Sequence, residues 1–224
     1  MRDEILNYIE MCGRENLSLQ KGMNFFPPPR PSVVLMSQRI GSPYDDELSD
    51  DGTLLLYEGH DVRKTPGVDP KRVDQPWESS PGRPSENGRF AAAANAVDPP
   101  LVRVYEKLKP GIWSDRGLFE LVGSDFVLKP TEGQKVFKFR LHVTETESAA
   151  SPFSFPNEHT RVIPSWIKQE VFKRDQGRCV LCGSTAQLHF DHEFPFSKGG
   201  VSILPENIRI LCAEHNLRKG ARIE

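Results

Sequence analysis

The sequence predicts an α+β protein in two parts: a strand-rich N-terminal barrel with few helices, and a small β-β-α unit near the C-terminus. Three observations predict this fold class. Short apolar runs separated by Pro, Gly and Asp clusters recur over residues 1–145. A polar stretch of small residues without a hydrophobic period lies at 144–160, and three of the four cysteines follow in the last quarter of the chain. We therefore expect domains at 1–143 and 161–224, joined by a linker at 144–160.

The N-terminal domain is predicted from five runs rich in aliphatic and β-branched residues. Several short strands separated by turn residues favour a compact barrel. Two short helices are also expected, one near Asp3 with Ile5 and Ile9 on one face, and one at 87–96. The predicted strands are 32–36, 53–57, 101–105, 118–122 and 136–143.

The C-terminal domain is predicted as a helix followed by the β-β-α unit. The helix begins at Pro164 and Ser165, places its apolar residues at helical spacing, and is stopped by Asp-Gln-Gly at 175–177. The elements predicted for the β-β-α unit are strands around 188–190 and at 208–211 and a helix at 213–219.

Composition and charge limit the function classes. The 224 residues are 37% hydrophobic and 27% charged, which suits a soluble protein, and no apolar run approaches the length of a membrane span. Residues 160–224 carry ten Lys and Arg against seven Asp and Glu, net +3. The remaining residues carry nineteen against twenty-four, net −5, so the whole chain has a net charge of −2. A nucleic-acid-binding protein with this balance needs local basic patches or a specific target.

Paired ligand spacing predicts a structural zinc site. Cys179 and Cys182 form a C-x2-C pair, and Cys212 and His215 form a C-x2-H pair. Four nitrogen and sulfur donors close a tetrahedral shell around one ion. A set of buried thiols and a disulfide are the alternatives. Cys12 lies far away, and nothing resembling a secretory signal precedes it, so a reducing, cytoplasmic location is expected.

A second set of polar residues accompanies the zinc ligands, and a structural ion does not need it: Asp191, His192, Asn207 and Asn216. His215 and Asn216 are adjacent on the predicted helix and point roughly 100° apart, so one can face the zinc and the other a second site. Lys219, three residues after Asn216, shares that second side.

This segment resembles the HNH (ββα-metal) endonucleases over the last quarter of the chain. A Cys pair, Asp-His, Pro-Glu-Asn at 205–207, and C-x2-H followed by Asn occur in the family's order and spacing. The resemblance implies that His192 is the general base and that Asp191 and Asn216 hold one divalent ion. It also implies that Asn207 fixes the loop that orients His192. Asn216 stands where many members have His, and its side-chain oxygen suits Mg²⁺ or Mn²⁺.

Phosphodiester hydrolysis needs a deprotonated water and a cation that neutralises developing charge, and an imidazole with a carboxylate-held metal supplies both. Adjacent residues in an ideal strand face opposite sides, so Asp191 and His192 converge only if the strand ends or bends there. Pro195 favours such an end. The alternative is a catalytically inactive zinc module that only binds DNA.

A second resemblance covers residues 30–143 and concerns the SRA (YDG) domains of the PUA-like superfamily. The matching features are a Tyr-Asp-Asp-Glu stretch at 44–47, a Gly turn at 51–52, a strand ending at Gly59, a basic loop at 70–72, an Ala-rich helix at 89–96 and a Val-Arg-Val strand within 101–104.

The SRA resemblance implies recognition of a modified cytosine that is flipped out of duplex DNA. Tyr44 and Tyr57 would sandwich the base, and Asp46 or Glu47 would accept a hydrogen bond from its exocyclic amine. Flat aromatic walls and polar atoms suit an extruded base. Alternatively, both tyrosines are ordinary barrel residues and the acidic run is a solvated turn.

Three basic residues are candidates for DNA contacts. Lys71 and Arg72 would enter the groove or hold phosphates, and Lys219 lies beside the second polar set.

Together the two resemblances are those of modification-dependent restriction endonucleases of the McrA type. They imply double-stranded DNA with 5-methylcytosine or 5-hydroxymethylcytosine as the partner, structural Zn²⁺, and catalytic Mg²⁺ or Mn²⁺. One HNH site hydrolyses one strand, so a homodimer is expected. Two alternatives stay open: a non-catalytic reader of modified DNA, and an HNH nuclease whose barrel reads another ligand.

Overall fold

The computed structural model describes residues 3–144 and 161–222, which form a mixed α/β fold around one large sheet. The helices in the described residues are α1 (Tyr8–Glu15), α2 (Glu86–Ala93), α3 (Ser165–Arg174) and α4 (Ala213–Lys219). The strands are β1 (Glu4–Asn7), β2 (Met23–Asn24), β3 (Ser32–Met36), β4 (Glu47–Leu48), β5 (Leu54–Glu58), β6 (Glu78–Ser80), β7 (Arg83–Pro84), β8 (Leu101–Lys109), β9 (Ile112–Lys129), β10 (Gln134–Val143), β11 (Leu188–His192) and β12 (Ile208–Cys212).

Most of the predicted elements are found. All five predicted N-terminal strands overlap observed ones, and β8, β9 and β10 are longer than predicted. The helix predicted at 87–96 is α2, and the elements of the β-β-α unit are β11, β12 and α4. The predicted linker lies outside the described residues except for Thr144.

One sheet of ten strands runs through the described residues. Its main path is β12-β11-β1-β9-β10-β5-β4, and β8 joins β9 to β3, which in turn pairs with β2. Only the pairing of β3 with β8 is parallel; the other described ladders are antiparallel. No ladder within the described ranges closes this sheet. The structure therefore has an open sheet where the sequence predicts a compact barrel.

Strand β1 corrects the helix predicted near Asp3. Ile5 pairs with Ser114 of β9 on one side and with Leu188 of β11 on the other. The helix begins only after Asn7, whose side chain accepts hydrogen bonds from the amides of residues 9 and 10 in a capping box. Ile9 is 80% exposed. Ile5 is buried between two strands, and this burial outweighs the preference for a helix that the spacing of Ile5 and Ile9 predicts. The two partner strands come from distant parts of the chain, so the local sequence does not indicate them.

The same strand joins the C-terminal unit to the larger part of the sheet. Ile5 and Leu108 belong to one buried apolar cluster with Ile167, Val171 and Ile210. A polar contact reinforces this packing, since the guanidinium of Arg116 donates a 2.8 Å hydrogen bond to the carbonyl of residue 163. The C-terminal unit thus shares a core with β1 and β8, which fixes its position on the sheet.

Among the described residues, none of the helices combines the length and the apolar character that crossing a bilayer requires.

Candidate functional site

The two predicted zinc-ligand pairs come together in one cluster. Cys179, Cys182, Cys212 and His215 place one ligand atom each within 4.8 Å of one another. The Sγ of Cys182 lies 3.8 Å from that of Cys212, and Nδ1 of His215 lies 3.6 Å from the Sγ of Cys179 and 3.1 Å from that of Cys212. Tetrahedral zinc with sulfur and nitrogen ligands has edges of roughly 3.6–3.8 Å. The cluster could therefore bind a metal such as zinc.

Local structure aims these ligands at one point. The turn that holds Cys179 is closed by two 2.8 Å backbone hydrogen bonds, from its amide to Ser184 and from the Gly183 amide to its carbonyl. Cys212 ends β12, and His215 lies in the first turn of α4. Burial raises the pKa of the Cys179 thiol, but hydrogen bonds from backbone amides outweigh it and lower that pKa to about 6. A thiolate, the form that binds metal, is thereby favoured.

Three of the predicted catalytic residues line one cavity of about 570 Å³ beside this cluster. Asp191 and His192 come from the end of β11, and Asn216 comes from α4. A carboxylate and an amide oxygen are the donors that a hard divalent cation prefers. The donor types in this cavity are therefore those that Mg²⁺ or Mn²⁺ prefers.

Lys219 explains how two adjacent strand residues can reach the same cavity. Its ammonium lies 2.6 Å from Oδ2 of Asp191 and also donates to the backbone carbonyl of His192. The side chain is 1% exposed. Lys219, a candidate for DNA contact from the sequence, thus holds the end of β11 from inside the site.

The side chain of His192 is buried and held by a hydrogen bond. Its Nε2 atom is hydrogen-bonded to the hydroxyl of Ser202 at 2.8 Å. Burial lowers the pKa of His192, with Asp3 and Asp191 opposing that effect. A neutral imidazole that donates a hydrogen bond from one nitrogen can accept a proton at the other. Ser202 was not among the sequence-predicted residues, and no motif in the sequence points to it.

Asn207 fixes the loop that follows His192. Its Oδ1 accepts a 2.8 Å hydrogen bond from the Phe194 amide, and its Nδ2 donates a 2.9 Å bond to the carbonyl of Val201. The loop passes close to itself here, since a Cβ on Gly200 would lie 2.0 Å from the carbonyl oxygen of Phe194. The side chain therefore links two segments of this loop.

A second cavity, of about 800 Å³, lies at the predicted base-binding residues. Tyr44 and Asp46 line it, whereas Glu47 is exposed on β4. Asp46 accepts hydrogen bonds from the amides of Ser37, at 3.0 Å, and Glu58, at 3.1 Å. Burial raises the pKa of Asp46 to about 6, so its carboxylate is still ionised at neutral pH. Of the two acidic candidates, Asp46 is therefore the one that lines the cavity.

The two predicted aromatic walls differ in their surroundings. Tyr57 is 1% exposed and does not line the cavity, and its hydroxyl donates a 3.0 Å hydrogen bond to the carbonyl of Gly22. Tyr44 instead stacks on His60, with ring centroids 5.0 Å apart and planes 14° apart. Sequence reasoning gave His60 no role, because a single histidine after a glycine forms no pattern.

The basic loop contacts Tyr44 as well. The ammonium of Lys71 lies 4.7 Å from the centre of the Tyr44 ring and 3.0 Å from a carboxylate oxygen of Asp61. Arg72 is exposed, and its guanidinium is 3.4 Å from the carbonyl of Glu132. Lys71 therefore braces the Tyr44 loop, whereas Arg72 presents its side chain at the surface.

Comparison with protein-family models gives no match for the chain, and comparison with curated proteins gives none either. Among solved structures, the chain resembles the SUVH5 SRA domain in complex with hemimethylated CG DNA, at 19% identity over 69% of this chain and 92% of that chain, with a TM-score of 0.47. The SUVH5 SRA domain bound to fully hydroxymethylated CG DNA gives 17% identity over 67% of this chain and 89% of that chain, with a TM-score of 0.47.

A modification-dependent TagI restriction endonuclease is also similar, at 17% identity over 97% of this chain and 77% of that chain, with a TM-score of 0.42. These likenesses all lie below a TM-score of 0.5, so they leave the family of this chain open.

Proposed function

We propose that this protein is a modification-dependent DNA endonuclease that recognises 5-methylcytosine or 5-hydroxymethylcytosine and hydrolyses phosphodiester bonds at an HNH site. The observation that carries the proposal is the convergence of Asp191, His192 and Asn216 on one cavity beside a Cys3His cluster. A cluster that only stabilised the fold would not need this second set of residues.

Each residue of the first cavity has a separate role in the proposed hydrolysis. In the tautomer in which Nε2–H of His192 donates to the Ser202 hydroxyl, Nδ1 is the atom that takes the proton from the attacking water. Lys219 keeps the carboxylate of Asp191 directed into the cavity. A divalent cation bound by Asp191 and Asn216 would supply the charge that neutralises the transition state and the leaving oxygen. Zinc in the Cys3His cluster has no open position and would be structural.

We propose that the second cavity is the site that recognises the modified base. Tyr44 offers an aromatic face and Asp46 a buried carboxylate, which suit the ring and the exocyclic amine of an extruded cytosine. We propose a cytoplasmic enzyme that acts on double-stranded DNA. Because each site cuts one strand, a double-strand break needs two copies, so a homodimer is part of the proposal.

Asp46→Asn tests the reader, with Glu47→Ala as the matched control on the neighbouring exposed residue. Loss of a charged acceptor is expected to weaken binding to a modified duplex about tenfold to a hundredfold, without changing affinity for the unmodified duplex. Fluorescence anisotropy with matched duplexes measures both. Glu47→Ala should leave both affinities unchanged.

In the wild type, the difference in affinity between modified and unmodified duplexes should become smaller as the pH is lowered. As pH falls through about 6, Asp46 gains a proton and selectivity for modified DNA should decline. The charged groups acting on Asp46 are Glu58, which raises its pKa, and Lys138, which lowers it. Burial lowers the pKa of His60 to about 4, so that side chain stays neutral through this window. Equal affinity of the wild type for modified and unmodified duplexes at neutral pH would rule out the proposed reader.

A further inference from the structure

His60 contacts both of the tyrosines that the sequence assigns to base binding. Its ring lies parallel to Tyr44 at 5.0 Å, and its centroid is 6.3 Å from that of Tyr57, at 46°. His60 lines the 800 Å³ cavity together with Tyr44 and Asp46. Three aromatic rings line the cavity, those of Tyr44, His60 and Trp113, and the ring of Tyr57 is not among them. Of the three, Tyr44 and His60 are the pair that lies parallel.

The backbone of His60 is held on both sides by one side chain. Asn87 accepts a 2.9 Å hydrogen bond from the His60 amide and donates a 2.8 Å bond to its carbonyl. Asn87 is itself buried in α2. There is also little free space around the ring, since a Cβ on Gly22 would lie 2.8 Å from Nε2 of His60. His60 is thus a fixed wall of the cavity.

The hydrogen bonds of Tyr57 also define the tautomer of His60. The Tyr57 hydroxyl oxygen lies 3.0 Å from the carbonyl oxygen of Gly22, a contact between two oxygens that requires the hydroxyl proton to lie between them. The 3.1 Å contact between that hydroxyl and Nε2 of His60 must then use a proton on Nε2. In the neutral ring Nδ1 therefore carries no proton, and Tyr57 acts as the support that orients the imidazole.

Tyr44 is held less firmly than His60. It lies in the irregular segment between β3 and β4, is half-buried, and is braced by the ammonium of Lys71. A base inserted between two parallel rings needs a stacking distance on each of its faces, so the centroids must move from 5.0 Å to about 7 Å apart. Since the backbone of His60 is fixed, Tyr44 is the residue that must move to separate the two rings.

We propose that His60 is a base-binding residue and that the extruded base stacks between Tyr44 and His60 instead of between the two tyrosines. This inference rests on the proposed reading of modified cytosine. It assigns Tyr57 to positioning His60, and it makes movement of the Tyr44 loop the step that admits the base.

The test is the affinity of His60→Ala for modified and unmodified duplexes, measured by fluorescence anisotropy on the full chain. Loss of one stacking face should weaken binding to the modified duplex about tenfold to a hundredfold and leave binding to the unmodified duplex unchanged. His60→Phe, which keeps a flat ring, should recover part of the loss. His142→Ala, at an exposed histidine of β10, is the matched control and should bind as the wild type does.

Tyr57→Phe provides a milder variant should His60→Ala fold poorly. It keeps the buried ring and removes the hydroxyl, which accepts from Nε2 of His60 and donates to the Gly22 carbonyl, and a several-fold loss confined to modified DNA is expected. Unchanged or tighter binding of the modified duplex by His60→Ala would overturn the inference, because the imidazole would then only fill the site of the base. If the wild type itself does not discriminate between the duplexes, the proposed function fails and this inference fails with it.

Discussion

His192→Ala is expected to lower the single-turnover cleavage rate constant by about 10²–10⁴-fold, the range that a positioned general base contributes. Binding of modified DNA should be unchanged, because His192 is buried at the end of β11 and lies in a different cavity from Tyr44 and Asp46. Quench-flow cleavage of a labelled modified duplex measures the rate constant, and anisotropy measures binding.

Ser202→Ala is the informative companion variant. It leaves the imidazole in place and removes the 2.8 Å hydrogen bond at Nε2, so the rate should fall less than in His192→Ala. A His192→Ala variant that cleaves at the wild-type rate would show that the base lies elsewhere. A variant that loses DNA binding and cleavage together would show that His192 acts in folding or affinity.

Cys182→Ala is expected to have the largest effect on stability. Cys182 is exposed, so its loss leaves no cavity in the core, and any large destabilisation must come from the metal that its thiolate would hold. Bound zinc should fall well below one ion per chain, and the free energy of unfolding should fall by more than about 4 kcal/mol. Elemental analysis and urea unfolding of the purified variant measure the two quantities.

Cys12→Ala is the matched control for this experiment. Cys12 is partly buried and lies outside the cluster, where its sulfur accepts a 3.4 Å hydrogen bond from the Leu19 amide. Its zinc content should equal that of the wild type. A Cys182→Ala variant that keeps both its zinc and its stability would contradict a structural zinc site at these four ligands.

The sequence predicted best where the spacing of nearby residues determines the structure. The pairs Cys179–Cys182 and Cys212–His215 require short turns, and the helix that carries His215 has the bounds predicted for it. Asp191 and His192 were predicted to converge only if the strand ended, and the structure supplies that end with Lys219 as the contact that holds it.

The features that could not be predicted depend on contacts between distant parts of the chain. Strand β1 forms because it pairs with β9 on one side and with β11 on the other, and nothing within residues 4–7 indicates those partners. His60 lies against Tyr44 because Asn87, in a helix 27 residues further on, holds its backbone. Ser202 reaches His192 across the loop that Asn207 stabilises. Such contacts leave no periodicity or motif in the sequence.

We propose that this chain both recognises modified cytosine and cuts the DNA that carries it. Cleavage of one plasmid in three forms, unmodified, 5-methylcytosine-containing and 5-hydroxymethylcytosine-containing, in the presence of Mg²⁺ or Mn²⁺, tests both activities in one experiment. The wild-type protein is expected to cut at least one modified form and to leave the unmodified plasmid intact. Equal cutting of all three forms would contradict the proposed recognition of modified cytosine. Selective binding without any cutting would contradict the proposed nuclease activity.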